Sequence, residues 1–194
     1  MVLNIKNIIN SKRWDYFILV IRCLLAYIFF QYGYSKLTGG QFGLKEVELN
    51  TPIKDLSLFR ISWYLFDHQP FKFIVGLSQI ICALLLMINR TVILGAFMFL
   101  PIVATILIID ISFMSPQFAY AFLWRLSIYI LLDILILIHY KGKMLTIWKA
   151  IWDNKTIKYK HSIWGFILIP VFAIILEFAI ALPKAIVHFF IDLL

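Results

Sequence analysis

The sequence predicts an all-α membrane protein: a four-helix transmembrane bundle, a fifth span and amphipathic helices at the membrane surface. The first observation is composition, since 63% of the 194 residues are hydrophobic and 14% are charged, whereas a soluble domain is about half apolar and a quarter charged. The second is patterning, because the apolar residues form segments of about 20, the length that crosses roughly 30 Å of hydrocarbon. We therefore interpret residues 1–194 as a single membrane domain.

The apolar segments predict five spans, four of which form a core over about residues 16–140. The central three are joined by the short connections Arg90-Thr91 and Ser115-Pro116-Gln117, so they must lie side by side as an antiparallel bundle. A basic segment (141–161) and a tail (183–194) flank the fifth span, and Pro183 is expected to end or kink its helix. The predicted spans are residues 16–34, 71–89, 92–113, 118–140 and 162–182.

The connection between the first two spans, residues 36–70, contains an amphipathic pattern. Its apolar residues recur at helical spacing, while Asp55 and Ser62 lie elsewhere around the helix. This pattern is typical of a helix that lies in the membrane interface, and a lid over a substrate is the alternative interpretation. The apolar positions are Leu56, Phe59, Trp63 and Phe66.

The basic segment 141–161 sets the predicted orientation. It carries six lysines against one acidic residue, Asp153, and its Trp148 and Trp152 are four residues apart. Indole rings at headgroup level and lysines facing anionic lipid indicate a membrane-surface helix, and basic segments stay in the cytoplasm. We predict a bacterial cytoplasmic (inner) membrane protein with a cytoplasmic N-terminus. Its partners would be the bilayer and a membrane protein or a second copy, without nucleic acid.

Charged residues at membrane depth are costly, so each is a candidate functional residue. Arg125, Tyr129 and Asp133 follow one another at four-residue spacing and share one face of the fourth span. Similar depth predicts an Asp110–Arg125 ion pair near one membrane surface and an Arg22–Asp133 pair towards the other. These pairs either fasten the bundle or line a proton or ligand path. The candidate intramembrane polar site is Arg22, Asp110, Arg125, Tyr129, Asp133 and Glu177, the last of which could join Asp110 and Arg125.

The sequence has no haem, flavin or metal motif, and it leaves the catalytic residues unassigned. A haem held by two histidines would need both well inside the bundle, whereas the candidate pair, His139 and His161, lies at its edge. Cys23 and Cys82 fall within apolar segments, so we interpret them as buried thiols that act as small hydrophobes. A thiol pair across the first two spans is the alternative. The cofactor is unassigned, and a quinone is the candidate.

The first two spans also carry a series of short motifs. An early arginine precedes an apolar stretch, a glycine and then Lys-Leu; the next span has a glycine and an amide before a tight turn that contains arginine. The positions are Arg22, Gly33, Lys36, Gly76, Gln79 and Arg90. From about residue 22 to 140 this pattern resembles the DoxX and DoxX-like integral membrane proteins. Many of these proteins have a glutamate where this chain has Gln79, so this chain lacks an ionisable group at that position.

The resemblance implies a four-helix bundle and a limited set of functions. DoxX relatives include a subunit associated with a terminal quinol oxidase, proteins linked to thiosulfate oxidation with quinone as acceptor, and assembly factors. We therefore predict an accessory or assembly component of a membrane complex, respiratory or redox in type. One alternative is a quinone- or lipid-linked oxidoreductase that uses Arg22, Arg125, Tyr129 and Asp133. The other is a small proton-coupled transporter that uses Asp133 and Glu177.

Overall fold

The computed structural model describes residues 11–153, 159 and 161–191, with the backbone alone for residues 181–191. The chain divides into two units, Met1–Trp148 and Lys149–Leu194. Two short pieces, the helix Glu46–Leu49 and the 3₁₀ turn Ile53–Asp55, lie in the first long connection. The longer helices, numbered in chain order, are α1 (Lys12–Leu37), α2 (Leu58–Phe66), α3 (Phe71–Met87), α4 (Val92–Phe113), α5 (Pro116–His139), α6 (Lys141–Asp153) and α7 (Ile163–Ile191).

The predicted all-α membrane fold is confirmed. The helices α1, α4, α5 and α7 are each long and apolar enough to cross a membrane, the last judged over Ile163–Ile180. The helix α3 has 17 residues, about 26 Å at 1.5 Å per residue, and is bent by 81° from α2. If this bent pair counts as one span, the described chain has up to five.

The four helices of the first unit form a closed bundle. The helix α1 packs against α3 and α5, and α4 packs against the same two, so that α3 and α5 lie diagonally across the centre. Phe29 of α1 and Phe99 of α4 stack there with ring centroids 4.1 Å apart. A β-carbon on Gly33 would lie 2.6 Å from the Gly76 carbonyl oxygen, so glycine lets α1 and α3 approach closely.

Local signals set the helix boundaries. The Ser11 hydroxyl accepts a hydrogen bond from the Trp14 amide at 3.2 Å and caps α1. The Ser57 hydroxyl accepts one from the Arg60 amide at 3.4 Å at the start of α2. The amphipathic segment predicted around residues 56–66 is therefore a helix, and its Trp63 is buried. Pro116 occupies the first turn of α5, where its missing N–H costs nothing.

The helices that follow the bundle agree in part with the predictions. The helix α6 lies within the predicted basic segment, of which residues 154–158 and 160, with three of the six lysines, lie outside the described residues. The helix α7 continues to Ile191, so Pro183 does not end it, and the alternative prediction of a kink there stays a prediction. A proline removes only one backbone hydrogen bond, and the apolar sequence on both sides maintains the helix. Residues 192–194 of the predicted tail also lie outside the described residues.

Candidate functional site

A cavity of about 840 Å³ lies at the end of the bundle where α1 and α4 finish and α5 begins. We call it the Lys36 cavity, and its volume is within the range of small-molecule sites, roughly 300–1,000 Å³. Side chains from α1, α2, α4 and α5 line it. The polar lining includes Tyr32, Lys36, Gln41, Asp110 and Arg125, and the aromatic lining includes Phe59, Trp63, Phe113, Phe118 and Phe122.

Lys36 is a buried cation in the wall of this cavity, with 3% of its surface exposed. Its ammonium nitrogen donates a hydrogen bond to the Gln41 side-chain oxygen at 2.8 Å. It also lies 5.5 Å from the ring centroid of Tyr32 and 5.4 Å from that of Phe42, within cation–π distance. Sequence reasoning included Lys36 only as a motif position. Its place at the end of an apolar span, just after Gly33, was the signal that could have identified it.

Asp110 is buried on α4, and its charge interacts with that of Lys36. No nitrogen of Arg125 lies within ion-pair distance of Asp110 in the described part of the chain. The predicted Asp110–Arg125 pair is therefore wrong. The reason is that the Arg125 guanidinium turns along its own helix to Tyr129. The charge that acts on Asp110 comes instead from Lys36 of α1, at longer range than an ion pair.

Arg125 and Tyr129 form a pair along α5. The Arg125 Nε donates a hydrogen bond to the Tyr129 hydroxyl oxygen at 2.5 Å, and the guanidinium carbon lies 5.6 Å from the centroid of the Tyr129 ring. The charges of Arg125 and Asp110 both act on Tyr32. One end of the bundle thus brings together two cations, one carboxylate and two tyrosines around a cavity.

The connection between α1 and α3 forms one wall of the cavity through α2. Arg60 of α2 forms an ion pair with Glu48 and donates a hydrogen bond to the Gly43 carbonyl oxygen at 3.2 Å. The hydrogen bond from Arg60 lowers the pKa of the Glu48 carboxyl below its ordinary value. Lys72 pairs with Asp67 at 2.7 Å. This network fixes the connection in place, and the interfacial helix and the substrate lid both stay predictions.

At the opposite end of the bundle, Arg22 binds backbone carbonyls. Its Nε and Nη2 donate hydrogen bonds to the carbonyl oxygens of Leu86 and Met87, each at 2.9 Å. Its Nη1 donates to the Tyr140 hydroxyl at 3.3 Å. These carbonyls end α3, where a helix leaves its acceptors unpaired and favours a positive charge. Arg22 therefore joins three parts of the bundle.

Asp133 is completely buried on α5 and forms no ion pair with Arg22, so this second predicted pair is wrong. The guanidinium of Arg22 already has three acceptors, which the depth of the two residues did not reveal. Neither carboxylate oxygen of Asp133 has a hydrogen-bond partner, and both amide atoms of the buried Gln79 are likewise unpaired. These two side chains lie in the middle of the bundle, away from the Lys36 cavity lining.

The cysteines and histidines have separate surroundings. Cys82 is buried and donates to the Gly95 carbonyl oxygen at 3.4 Å, whereas Cys23 is exposed on the protein surface. The prediction of two buried thiols is therefore wrong for Cys23, and both thiols are free. His139 lies 3.4 Å from the Asp15 carboxylate at the Arg22 end. Across the described residues, no group of three or more His, Cys, Asp or Glu side chains is placed to hold a metal ion.

Glu177 lies on α7, in the second unit of the chain. Its predicted association with Asp110 and Arg125 therefore stays a prediction. Within the first unit, the structure divides the other predicted site residues among three places. Asp110, Arg125 and Tyr129 gather at the Lys36 cavity, Asp133 lies at the centre, and Arg22 lies at the far end.

Comparison with known proteins supports the family resemblance. Residues 17–110, just under half of the chain, match the family model described as DoxX. The Bacillus subtilis (strain 168) protein described as uncharacterized protein YwoB is 37% identical over 93 residues, which are 47% of this chain and 59% of that relative. The match thus spans about three-fifths of the relative's length. No solved structure matches the chain.

The matched stretch contains most of α1, all of α2 and α3, and most of α4. It includes every motif position on which the resemblance was based, and also the Lys36 and Asp110 side chains of the cavity. Arg125 and Asp133 lie beyond it. Over residues 17–110 the chain is similar to the DoxX family, and the resemblance predicted from its first two spans is confirmed.

Proposed function

We propose that this membrane protein binds a quinone-type headgroup in the Lys36 cavity and serves as the quinone-binding accessory component of a membrane redox complex. The observation that carries the proposal is the composition of the cavity. Two cations and one carboxylate line a space of about 840 Å³ that otherwise has aromatic and aliphatic walls. Mostly apolar pockets with a few converging polar groups are typical ligand sites.

The lining matches the chemistry of a quinone ring. The ring presents carbonyl oxygens, which accept hydrogen bonds from the Lys36 ammonium and the Arg125 guanidinium. Its reduced form presents hydroxyl groups, which donate to the Asp110 carboxylate. The faces of Phe59 and Trp63 provide flat apolar surface for the ring. When bound, a quinone supplies two-electron, two-proton redox chemistry.

An anionic phospholipid headgroup is the main competitor for such a site. Lys36 and Arg125 would attract its phosphate, but Asp110 lies in the same wall and would repel it. The direction in which replacing Asp110 changes ligand binding therefore distinguishes the two ligands. Replacing this carboxylate by an amide removes a hydrogen-bond acceptor for a quinol, whereas it removes a repulsion for a phosphate.

The test is equilibrium binding of a short-chain ubiquinone and its quinol to the purified full-length chain in mild detergent. We expect Lys36→Met to weaken binding about tenfold or more, the effect of losing a charge-assisted hydrogen bond. Asp110→Asn should weaken quinol binding more than quinone binding. Lys72→Met is the matched control, because Lys72 lies outside the cavity lining and pairs with Asp67.

Two results would contradict the proposal. Equal quinone binding by the wild type and Lys36→Met would show that quinone does not bind in the Lys36 cavity. Tighter binding of phosphatidylglycerol by Asp110→Asn, with no binding of either quinone form, would show that the cavity binds an anionic lipid and not a quinone. The partner is tested separately: purification in mild detergent should return a second membrane protein, and recovery of this chain alone would contradict the accessory role.

A further inference from the structure

The centre of the bundle contains two buried polar side chains that have no hydrogen-bond partner. Asp133 of α5 and Gln79 of α3 are each 0% exposed. Both oxygens of the Asp133 carboxyl group and both polar atoms of the Gln79 amide are unpaired. Buried polar side-chain atoms in native proteins nearly always have a partner. Four such atoms in one bundle therefore indicate a site.

Both side chains are buried in the interior of the bundle, on helices that lie opposite each other. The helices α3 and α5 lie diagonally, each packed between α1 and α4. Cys82 follows Gln79 by three residues and shares its face of α3, and the Asp133 charge acts on Cys82. Gln79 and Asp133 thus belong to the same buried interior as Cys82 and the stacked rings of Phe29 and Phe99.

In the described part of the chain, no cation forms an ion pair with Asp133 and no donor lies within hydrogen-bond distance of its carboxyl oxygens. From α1, Arg22 is bound to the Leu86 and Met87 carbonyls and to Tyr140. From α3, the Cys82 thiol donates to the Gly95 carbonyl. The helix α4 contributes one charged residue, Asp110, which lies at the Lys36 cavity.

On α5 itself, the Arg125 Nε is bound to Tyr129. A buried carboxylate without such partners is strongly disfavoured, whereas a neutral carboxylic acid both donates and accepts hydrogen bonds.

We propose that Asp133 and Gln79 form a proton-binding site within the membrane, in which Asp133 is a neutral carboxylic acid and a water molecule bridges it to the Gln79 amide. The acid donates its O–H to the water and accepts at its carbonyl oxygen. The amide provides the remaining donors and acceptor, so that a single water has the two to four polar partners that a buried water requires. This site goes beyond the proposed function and does not depend on what occupies the Lys36 cavity.

Infrared spectroscopy of the full chain in lipid nanodiscs tests the site. At neutral pH we expect the C=O band of a protonated carboxyl group, which Asp133→Asn removes. The matched control Asp67→Asn alters an aspartate already paired with Lys72 and should leave the band intact. Gln79→Leu should shift the band, because its hydrogen bonding changes. Absence of the band in the wild type, or its persistence in Asp133→Asn, would overturn the site, and an unshifted band in Gln79→Leu would overturn the bridge.

Quinone binding does not enter this measurement, so this proposal and the proposed function fail independently.

Discussion

The two ends of the bundle each bury a cation of α1, and the two cations serve different purposes. Arg22 is 2% exposed and Lys36 is 3% exposed, so burial alone does not distinguish them. The guanidinium of Arg22 is occupied by two backbone carbonyls and a tyrosine. The ammonium of Lys36 has a single hydrogen bond, two aromatic neighbours and a carboxylate across a cavity. The first arrangement fastens helices together, and the second leaves polar groups available to a ligand.

The largest expected effect is at the fastening end. Arg22→Met leaves the Leu86 and Met87 carbonyls without their donor, and each unpaired buried acceptor costs about 1–3 kcal/mol. We expect about 3 kcal/mol of destabilisation, visible as a lower thermal unfolding midpoint in detergent. The protein that remains folded should still bind ligand at the Lys36 cavity. Full stability of Arg22→Met would contradict the fastening role.

A second change tests the contact between α1 and α3 at Gly33, three residues before Lys36. Gly33→Val adds a branched side chain at a position where even a β-carbon would lie 2.6 Å from the Gly76 carbonyl oxygen. The helices must separate, and we expect a loss of about 1–3 kcal/mol, the typical cost of overpacking. The measurement is again thermal unfolding. Gly142→Val is the control because a β-carbon there meets nothing within 4 Å, and equal effects of the two changes would contradict close packing at Gly33.

At the cavity end, the expected change in stability is smaller. Lys36→Met removes a buried cation that forms no ion pair in the described part of the chain. The lost hydrogen bond to Gln41 is therefore offset by the removed cost of burying a charge. We expect the unfolding free energy to change by less than about 1 kcal/mol while ligand binding falls. Chemical or thermal unfolding of this variant beside Arg22→Met gives the comparison. A loss of stability equal to that of Arg22→Met would show that Lys36 fastens the bundle as well.

The smallest effect concerns the Arg60–Glu48 pair beside the cavity. Because the pKa of Glu48 in the folded protein is depressed from its ordinary value of about 4.5, the pair stabilises the fold above that pH. Its contribution is lost as the pH falls through the lowered pKa. The unfolding midpoint of Glu48→Gln should therefore lie slightly below that of the wild type at pH 7 and meet it in acid. A difference that persists in acid would contradict the ionic origin.

The sequence predicted the helices well because span length and apolar patterning depend on local composition. The short turns at Arg90 and Ser115 then determined which spans are neighbours. The ion pairs were predicted less well, since position along a span gives depth but not the direction in which a side chain turns. Arg22 binds backbone carbonyls, whose positions no sequence pattern reveals. The Lys36 side chain is buried in the bundle although the residue lies at the end of a span.

The Arg22 contacts also constrain how the chain is made. The carbonyls that receive its hydrogen bonds belong to residues 64 and 65 positions later, and the tyrosine hydroxyl lies 118 positions later. During synthesis α1 emerges before α3, so the Leu86 and Met87 carbonyls that Arg22 binds are not yet present when Arg22 is made. Because an unpaired arginine in hydrocarbon is costly, the first helix settles at its final depth only when the third arrives. Insertion of this bundle is therefore a joint event for α1 and α3.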